Sequence, residues 1–324
     1  MPTAIHRYDV AMGRFFKEYS EFLAELFPAK MQKLTIDAGF SCPNRDGTLG
    51  RGGCVYCNNA SFSPDLGAEA ITLQLNRGKA FFARKYPDMR YLAYFQSYTN
   101  THAPIDRLMA LYREALSVTG VEGLIIGTRP DCMPNSLLQS LAALERPVIL
   151  EFGAESCHNN TLKLINRCHS WQQTVDAVVR AHSAGFPVGL HFIMGLPGES
   201  EEMMLQSVAE AAALPLASIK FHQMQIIKGT TLARESTGLF CCSDTDKKNQ
   251  PAFRGAPIKI FEIDEYINLC VRIVDYLRSV SPNIAIDRFT SQAPADLLIA
   301  PRWGLKNYQF TNLLVNALSK HFNV

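Results

Sequence analysis

The stretch that decides the fold is DAGFSCPNRDGTLGRGGCVYCNNASF, residues 37–62. It follows a strand-like run, MQKLTIDA at 31–38, and contains Cys42, Cys54 and Cys57, separated by eleven and then two residues. Four glycines lie between the first two cysteines, and glycines let backbone N–H groups turn toward a thiolate or sulfide. In a parallel α/β fold the loop after a strand lies at the carboxyl end of the sheet, where ligand sites are built. We therefore expect this loop to hold a ligand.

Strand-like runs continue beyond this loop and alternate with helical patterns. The predicted strands are 31–38, 90–96, 121–127, 146–152, 186–193 and 218–227. The predicted helices are 69–86, 105–118, 134–144, 171–184 and 200–213. Such alternation predicts a parallel sheet. Residues 29–226 provide 33 residues for each of six units, whereas a full eight-unit barrel takes about 250 residues. We predict an α/β fold built on an incomplete (β/α)6 TIM-type barrel, with an open doubly wound sheet as the competing fold.

The two ends of the chain lie outside this repeat. Residues 8–27 have helical apolar spacing and end at Pro28, and they predict a helix that covers the barrel. After residue 227 the chain is polar and turn-rich, and it predicts a C-terminal α+β extension. Its elements are a helix at 262–279, a strand at 284–289 and a helix at 307–321. The predicted domains are an N-terminal helical segment at 1–28, the partial barrel at 29–227 and a C-terminal accessory segment at 228–324.

The composition limits the class of protein. Hydrophobic residues make up 47% of the 324 residues and the formal net charge is +2, so no strong overall field favours nucleic acid or an anionic membrane. No apolar run has the length of a signal peptide or a membrane span. Nine cysteines are too sparse for a disulfide scaffold and suit a reducing compartment. We expect a folded cytoplasmic protein with no membrane partner.

The three loop cysteines are compatible with several kinds of site. A structural zinc ion needs four ligands, and the nearest downstream histidine is His102. A redox dithiol would use Cys54 and Cys57 but leave Cys42 without a role. A zinc nucleobase deaminase needs a His-x-Glu upstream and a proline before the cysteine pair, where this chain has Gly53. The remaining interpretation is an iron–sulfur cubane on three thiolates, with its fourth iron free for another ligand.

The whole chain resembles the radical S-adenosylmethionine (SAM) superfamily. CPNRDG and GGCVYCNNASF resemble its YhcC-like branch, which is related to the radical SAM half of the Elongator catalytic subunit and, more distantly, to oxygen-independent coproporphyrinogen oxidase. Further motifs carry the resemblance: YFQSYTNTHAP (94–104), GTRPDCMP (127–134), LEFGAESCHNNTLKLINRCH (150–169), GLHFIMGLPGE (189–199), KFHQMQIIKGTTLA (220–233) and LIAPRWGLKN (298–307).

The resemblance implies the cofactors and the chemistry. Cys42, Cys54 and Cys57 would hold a [4Fe-4S] cluster whose fourth iron binds SAM. A one-electron reductant such as flavodoxin or ferredoxin would reduce the cluster. SAM would then be cleaved to a 5′-deoxyadenosyl radical that abstracts hydrogen from the substrate, while the protein orients the cofactor and excludes water.

The resemblance also implies a first group of SAM contacts. Tyr56 matches an aromatic residue that packs near the adenine; ordinary loop packing is the alternative. Many relatives hold the SAM amino group with a Gly-Gly-Glu where this chain has residues 96–99, so Ser97 or Thr99 becomes the nearest substitute. Glu151 and Glu155 match positions that contact the SAM ribose or amino group, and ordinary ion pairs are the alternative for both.

A second group of implied contacts lies on later elements. Arg167 matches an arginine that pairs with the SAM carboxylate, which a guanidinium can hold through two hydrogen bonds; a solvated helix arginine is the alternative. His191 matches a contact on the fifth strand, and a core histidine is the alternative. Gly195 would let the backbone approach the cofactor, unless it only forms a turn.

The substrate is less constrained than the cofactors. The Elongator relationship implies modification of a wobble uridine in tRNA, and the C-terminal segment offers basic and aromatic side chains for phosphate contact and base stacking: Lys247, Lys248, Arg254, Lys259, Phe253 and Phe261. A small metabolite or tetrapyrrole precursor is the alternative substrate. An iron–sulfur electron-transfer protein or a zinc-stabilised binding protein is the alternative without catalysis. Cys241 and Cys242 could belong to a second cluster, but they do not repeat the three-cysteine pattern.

Overall fold

The structure is a computed structural model that describes residues 15–61, 69–237 and 251–324. The first seven residues of the predicted N-terminal helix, 8–14, lie outside the described residues. So do Cys241, Cys242, Lys247 and Lys248.

Within the described ranges, seven strands form the central sheet and five short strands lie outside it. The central strands are β1 (Met31–Ile36), β2 (Arg90–Phe95), β3 (Val121–Thr128), β4 (Val148–Glu155), β5 (Val188–Met194), β6 (Ser218–Gln223) and β11 (Ala285–Ile286). The short strands are β7 (Ile226–Ile227), β8 (Ser236–Thr237), β9 (Ala252–Phe253), β10 (Ala256–Pro257) and β12 (Leu298–Ala300).

The helices occupy most of the intervals between strands. In chain order they are α1 (Tyr19–Leu26), α2 (Ile71–Ala83), α3 (Ile105–Ser117), α4 (Asn135–Ala142), α5 (Asn159–Leu164), α6 (Trp171–Ser183), α7 (Glu201–Ala212), α8 (Thr231–Glu235), α9 (Ile263–Val280) and α10 (Asn307–His321). None of these described helices is both long enough and apolar enough to cross a bilayer.

Local sequence explains where some helices begin. Ser170 accepts a hydrogen bond from Gln173 N at 3.3 Å, and the Gln173 side chain accepts one from Ser170 N at 2.8 Å. This capping box satisfies two N–H groups that the first turn of α6 leaves without helical partners. Ser200 accepts from Met203 N in the same way at the start of α7.

The central sheet confirms the incomplete barrel. Its order is β1-β2-β3-β4-β5-β6-β11, and every pair is parallel. Chain order never reverses across the sheet, whereas a doubly wound sheet requires a reversal, so the competing fold is wrong. The sheet also has a seventh strand, β11, which comes from the predicted C-terminal extension.

The predicted strand at 218–227 is two strands. β6 ends at Gln223, and β7 then pairs antiparallel with β12 in a separate two-stranded sheet. The apolar pattern runs through both strands, so the sequence does not show that the chain leaves the central sheet after β6 and pairs with β12 instead.

Helix α1 closes one end of the barrel interior. Its Tyr19, Phe22 and Leu23 pack with a layer of interior strand residues that includes Leu92 and Ile149. The prediction of a helix over 8–27 was wrong for residues 15–18, which are described and not helical. Glu18 forms a β-bridge with Ile286, and the helix begins at Tyr19. A larger core fills the space between the sheet and the outer helices.

Candidate cofactor site

A cavity opens among the carboxyl ends of the strands. About 1020 Å³ of space not filled by protein atoms lies within it, a volume that includes its open mouth. The three loop cysteines contribute to its wall, together with Tyr56, Glu151, Glu155, Arg167 and His191. The structure therefore brings together all three predicted metal ligands and five of the seven predicted SAM contacts.

The cysteine loop is held by its own turns and by the segment after α5. Arg45 N and Asp46 N donate to Cys42 O, at 2.7 and 3.1 Å. Asn166 donates from its side chain to Gly53 O at 2.8 Å, and Val55 N donates to Ile165 O at 3.0 Å. The position of the loop is thus fixed by residues more than 100 positions away in the sequence.

The three sulfur atoms lie in different surroundings. The Arg167 guanidinium and the Asn44 amide each donate to Cys54 Sγ, both at 3.5 Å. Burial raises the pKa of the Cys57 thiol to about 11. Among the described residues, no three His, Cys, Asp or Glu side chains are close enough to hold a single ion. In a cubane each thiolate binds a different iron, so cluster binding requires the three thiols to lose their protons rather than to meet at one point.

Arg167 lies between the cysteine loop and β4. Besides its contact with Cys54, it donates to Gly153 O at 2.6 Å and lies 3.3 Å from Glu155 Oε1. A Cβ atom at Gly153 would lie 2.5 Å from the Arg167 Nη2 atom, so glycine leaves room for the guanidinium. The helix-surface alternative for Arg167 is excluded, since only 7% of the residue is exposed.

His191 faces the same cavity from β5. Its ring lies 4.7 Å from the His222 ring, and its Nδ1 atom lies 4.0 Å from Glu155 Oε2. Burial and the nearby positive groups lower the pKa of His191 well below its usual value. The imidazole is therefore neutral near pH 7 and can accept or donate one hydrogen bond at each nitrogen.

Several polar atoms in this wall are buried without a hydrogen-bond partner among the described residues. They are Thr99 Oγ1, Arg129 Nη1, Glu155 Oε2, Arg167 Nε, His191 Nε2 and Arg288 Nε. Buried polar groups normally have partners, so this set points to a polar ligand. A carboxylate acceptor and guanidinium donors beside three thiols fit the amino and carboxylate groups of SAM at an iron–sulfur cluster.

Glu151 has a different environment from Glu155. Its Oε2 atom lies 2.8 Å from Lys220 Nζ and accepts a hydrogen bond from Tyr94 OH at 2.8 Å, while its Oε1 atom lies 3.4 Å from Lys33 Nζ. Both lysines also pair with Asp287, at 3.0 and 3.3 Å. We call Lys33, Glu151, Lys220 and Asp287 the interior charge cluster. Both Glu151 oxygens are engaged in it, which favours the ion-pair interpretation of this residue.

Breaking the interior charge cluster is expected to destabilise the protein. Lys220→Met leaves Glu151 and Asp287 opposite a single lysine, and removing one partner of a buried pair costs about 3–5 kcal/mol. The free energy of unfolding, measured by urea denaturation, should fall by that amount. Adding Glu151→Gln restores the charge balance and should recover part of the loss.

The control is Arg254→Met, which removes the exposed pair with Glu235 and should cost about 1 kcal/mol or less. Equal effects of the Lys220 and Arg254 changes would contradict a cluster that stabilises the barrel.

Two predicted SAM contacts lie elsewhere. Ser97 is buried outside the wall of the cavity, and the neighbouring hydroxyl that lines it is Thr99. Gly195 has a φ of +97°, and a Cβ atom there would lie 2.4 Å from Lys259 O, so its close approach is to the C-terminal segment. The wall of the cavity includes neither residue, so their contacts with SAM stay predictions.

Further side chains that line the cavity were not predicted from the sequence. Arg129 is almost fully buried and forms two hydrogen bonds with Asp131, at 3.0 and 2.8 Å. Its position directly after β3, within GTRPDCMP, was the available signal. His222 and Arg288 line the cavity from β6 and from the end of β11. Arg288 had no comparable signal, because β11 was not expected to join the barrel.

Comparison with known proteins agrees with this site. The family model described as Radical SAM superfamily matches residues 46–211, and the Radical_SAM C-terminal domain matches 251–320. Protein YhcC of Escherichia coli is 34% identical over 87% of this chain and 85% of its own length. YtqA of Bacillus subtilis is 32% identical over 89% of this chain and 84% of its own length.

A solved structure shares the fold. The archaeal Elp3 of Methanocaldococcus infernus superposes with a TM-score of 0.62 at 17% identity, covering 90% of this chain and 63% of the Elp3 chain. The family match, the two relatives and the shared incomplete barrel lead to one conclusion: the chain belongs to the radical SAM superfamily, and it is an enzyme that uses a [4Fe-4S] cluster and SAM.

Proposed function

We propose that this enzyme cleaves SAM reductively at a cluster held by Cys42, Cys54 and Cys57, and that it modifies a wobble uridine in tRNA. One observation carries the cofactor part: the three thiols and the buried polar atoms without partners share the wall of one cavity. When bound, the cluster and SAM supply a reducing electron and a radical able to abstract hydrogen. The electron comes from a one-electron reductant, and flavodoxin or ferredoxin is our proposal.

The residues of this chain would bind and orient the cofactor. The unpartnered Arg167 Nε atom and the Arg129 Nη1 atom would donate to the SAM carboxylate. Glu155 Oε2 would accept from the amino group, and Thr99 would supply a hydroxyl. Burial raises the pKa of Glu155, and the hydroxyl of Tyr56 acts in the opposite direction. Tyr56 lines the same wall and is half-buried, so it would orient that carboxylate as well as pack near the adenine. His191 would offer its free nitrogen to the ribose.

The tRNA part of the proposal is supported by the resemblance to the Elongator catalytic subunit. The shared fold with the M. infernus Elp3 is compatible with it, although this chain covers 63% of that N-terminally truncated Elp3 chain. The C-terminal aromatic residues do not support it, because Phe253 and Phe261 are buried in the core and present no face to a base. Arg254 and Lys259 are paired with Glu235 and Glu265. We also propose residues 228–324 as an accessory segment on the barrel at 29–227, which the family match at 251–320 supports.

The substrate is tested by the modified nucleosides of tRNA from cells that lack this protein. Mass spectrometry should show a wobble uridine intermediate that accumulates in these cells and disappears when the wild-type chain is restored. Restoring the Cys54→Ala chain should leave the intermediate in place. An unchanged nucleoside profile in all strains would contradict the tRNA substrate and favour a small metabolite.

A further inference from the structure

The proposed SAM contacts leave two guanidinium groups of the cavity wall unused: Arg45, which is exposed, and Arg288. Arg288 follows β11, the last strand of the sheet, and it lines the cavity while half-buried. Its Nε atom is buried without a hydrogen-bond partner. No salt bridge from Arg288 forms within the described ranges, even though Asp287 is its neighbour in sequence.

The charge of Arg288 is not balanced by its surroundings. The interior charge cluster has two lysines and two carboxylates and is neutral by itself, and the Asp287 carboxylate in it is shared by Lys33 and Lys220. The other arginines of the cavity wall differ: Arg129 and Arg167 have carboxylate partners, and Arg45 is exposed to solvent. A partly buried cation without a counter-ion is unfavourable. A ligand that brings negative charge would relieve that cost.

The neighbours of Arg288 differ in part from those of Arg167. Its charge acts on His191 and His222, where burial is the largest cause of a lowered pKa and the guanidinium adds to it. It also acts on Tyr94 and Asp287. The charge of Arg167 also acts on His191, and it acts in addition on Tyr56 and Glu155, while its guanidinium touches Cys54. Arg288 therefore belongs to the part of the cavity above the interior charge cluster, and Arg167 to the part beside the cysteine loop.

We propose that Arg288 binds an oxyanion of the substrate, a carboxylate or a phosphate, and so selects substrates that carry one next to the reacting carbon. A guanidinium suits both groups because it donates two parallel hydrogen bonds in one plane. The inference rests on the proposed function only in treating this cavity as the site of reaction.

The test uses cluster-loaded protein saturated with SAM, under anaerobic conditions, and titrates it with inorganic phosphate and separately with acetate in a calorimeter. We expect the wild type to bind at least one of them. Arg288→Gln should weaken that binding roughly tenfold to a hundredfold, the effect of removing hydrogen bonds to a charged group. Arg288→Lys should keep part of it. The control is Arg146→Gln, an exposed residue paired with Glu122, which should bind as the wild type does.

Phosphate binding alone would identify a phosphoryl group of the substrate, and acetate binding alone a carboxylate. The SAM affinity and the melting temperature of Arg288→Gln should equal those of the wild type or exceed them, since the change removes an unpaired charge. Three results would overturn the proposal: a wild type that binds neither anion, an Arg288→Gln variant that binds them equally well, or a parallel loss of SAM affinity in that variant. Failure of the wild type to bind SAM would instead contradict the proposed function, and the same titrations without SAM would still test Arg288.

Discussion

Replacing Cys42, Cys54 or Cys57 singly by alanine is expected to abolish assembly of the [4Fe-4S] cluster. Three thiolates are the whole protein ligand set in our assignment, and a cubane held by two of them leaves two irons without a protein ligand. Iron and sulfide content after anaerobic reconstitution, together with the visible absorption of the cluster, measures the effect. Each variant should lose nearly all of its cluster while its far-UV circular dichroism stays close to that of the wild type.

The matched control for these variants is the double change Cys241→Ala and Cys242→Ala. It removes two thiols from the same chain without touching the loop at 37–62, so its iron content should equal that of the wild type. The assignment of the ligands would be wrong if this control lost the cluster while any of the three loop variants kept it.

Changing Arg167 to lysine is expected to weaken SAM binding about tenfold to a hundredfold. Lysine keeps the positive charge beside Glu155 but lacks the planar group that reaches Cys54, Gly153 and a ligand at once. Hydrogen bonds to charged groups each contribute about 1.5–3 kcal/mol, which corresponds to that loss of affinity. Equilibrium dialysis with SAM on cluster-loaded protein measures it, and iron content shows that the cluster is retained.

The control for Arg167 is Arg180→Lys. Arg180 lies on α6 and donates to Met133 O and to the Asn135 side chain, outside the cavity. Its change should leave SAM affinity within about twofold of the wild type, since surface substitutions change free energies by about 0.5 kcal/mol or less. Unchanged SAM affinity in an iron-replete Arg167→Lys variant would remove this residue from the site.

The sequence was most informative where a local pattern decides the structure. Apolar runs that alternate with helical patterns predicted the six strands β1–β6. A strand covered by helices is apolar over several consecutive residues, and such a run is visible in the sequence. The short β11 was predicted as a strand, but its place beside β6 was not. β11 pairs with β6 through only two residues, which is too short for a periodic pattern. Its place in the sheet depends on where the preceding helix α9 lies.

The candidate site was only partly predictable for the same reason. The cysteines stand in one loop, so their spacing could be interpreted directly. The interior charge cluster joins Lys33, Glu151, Lys220 and Asp287 from four separate elements. A resemblance placed Glu151 at the cofactor, yet only the folded barrel shows that two lysines already hold its carboxylate.

The most direct test of the central claim is the formation of 5′-deoxyadenosine. Anaerobically reconstituted protein is mixed with SAM and dithionite, and the nucleoside is measured by chromatography. We predict its formation by the wild type and its absence with Cys42→Ala, Cys54→Ala or Cys57→Ala. A wild type that takes up zinc in place of iron, or that holds a cluster and never cleaves SAM, would contradict a radical SAM reaction in this cavity.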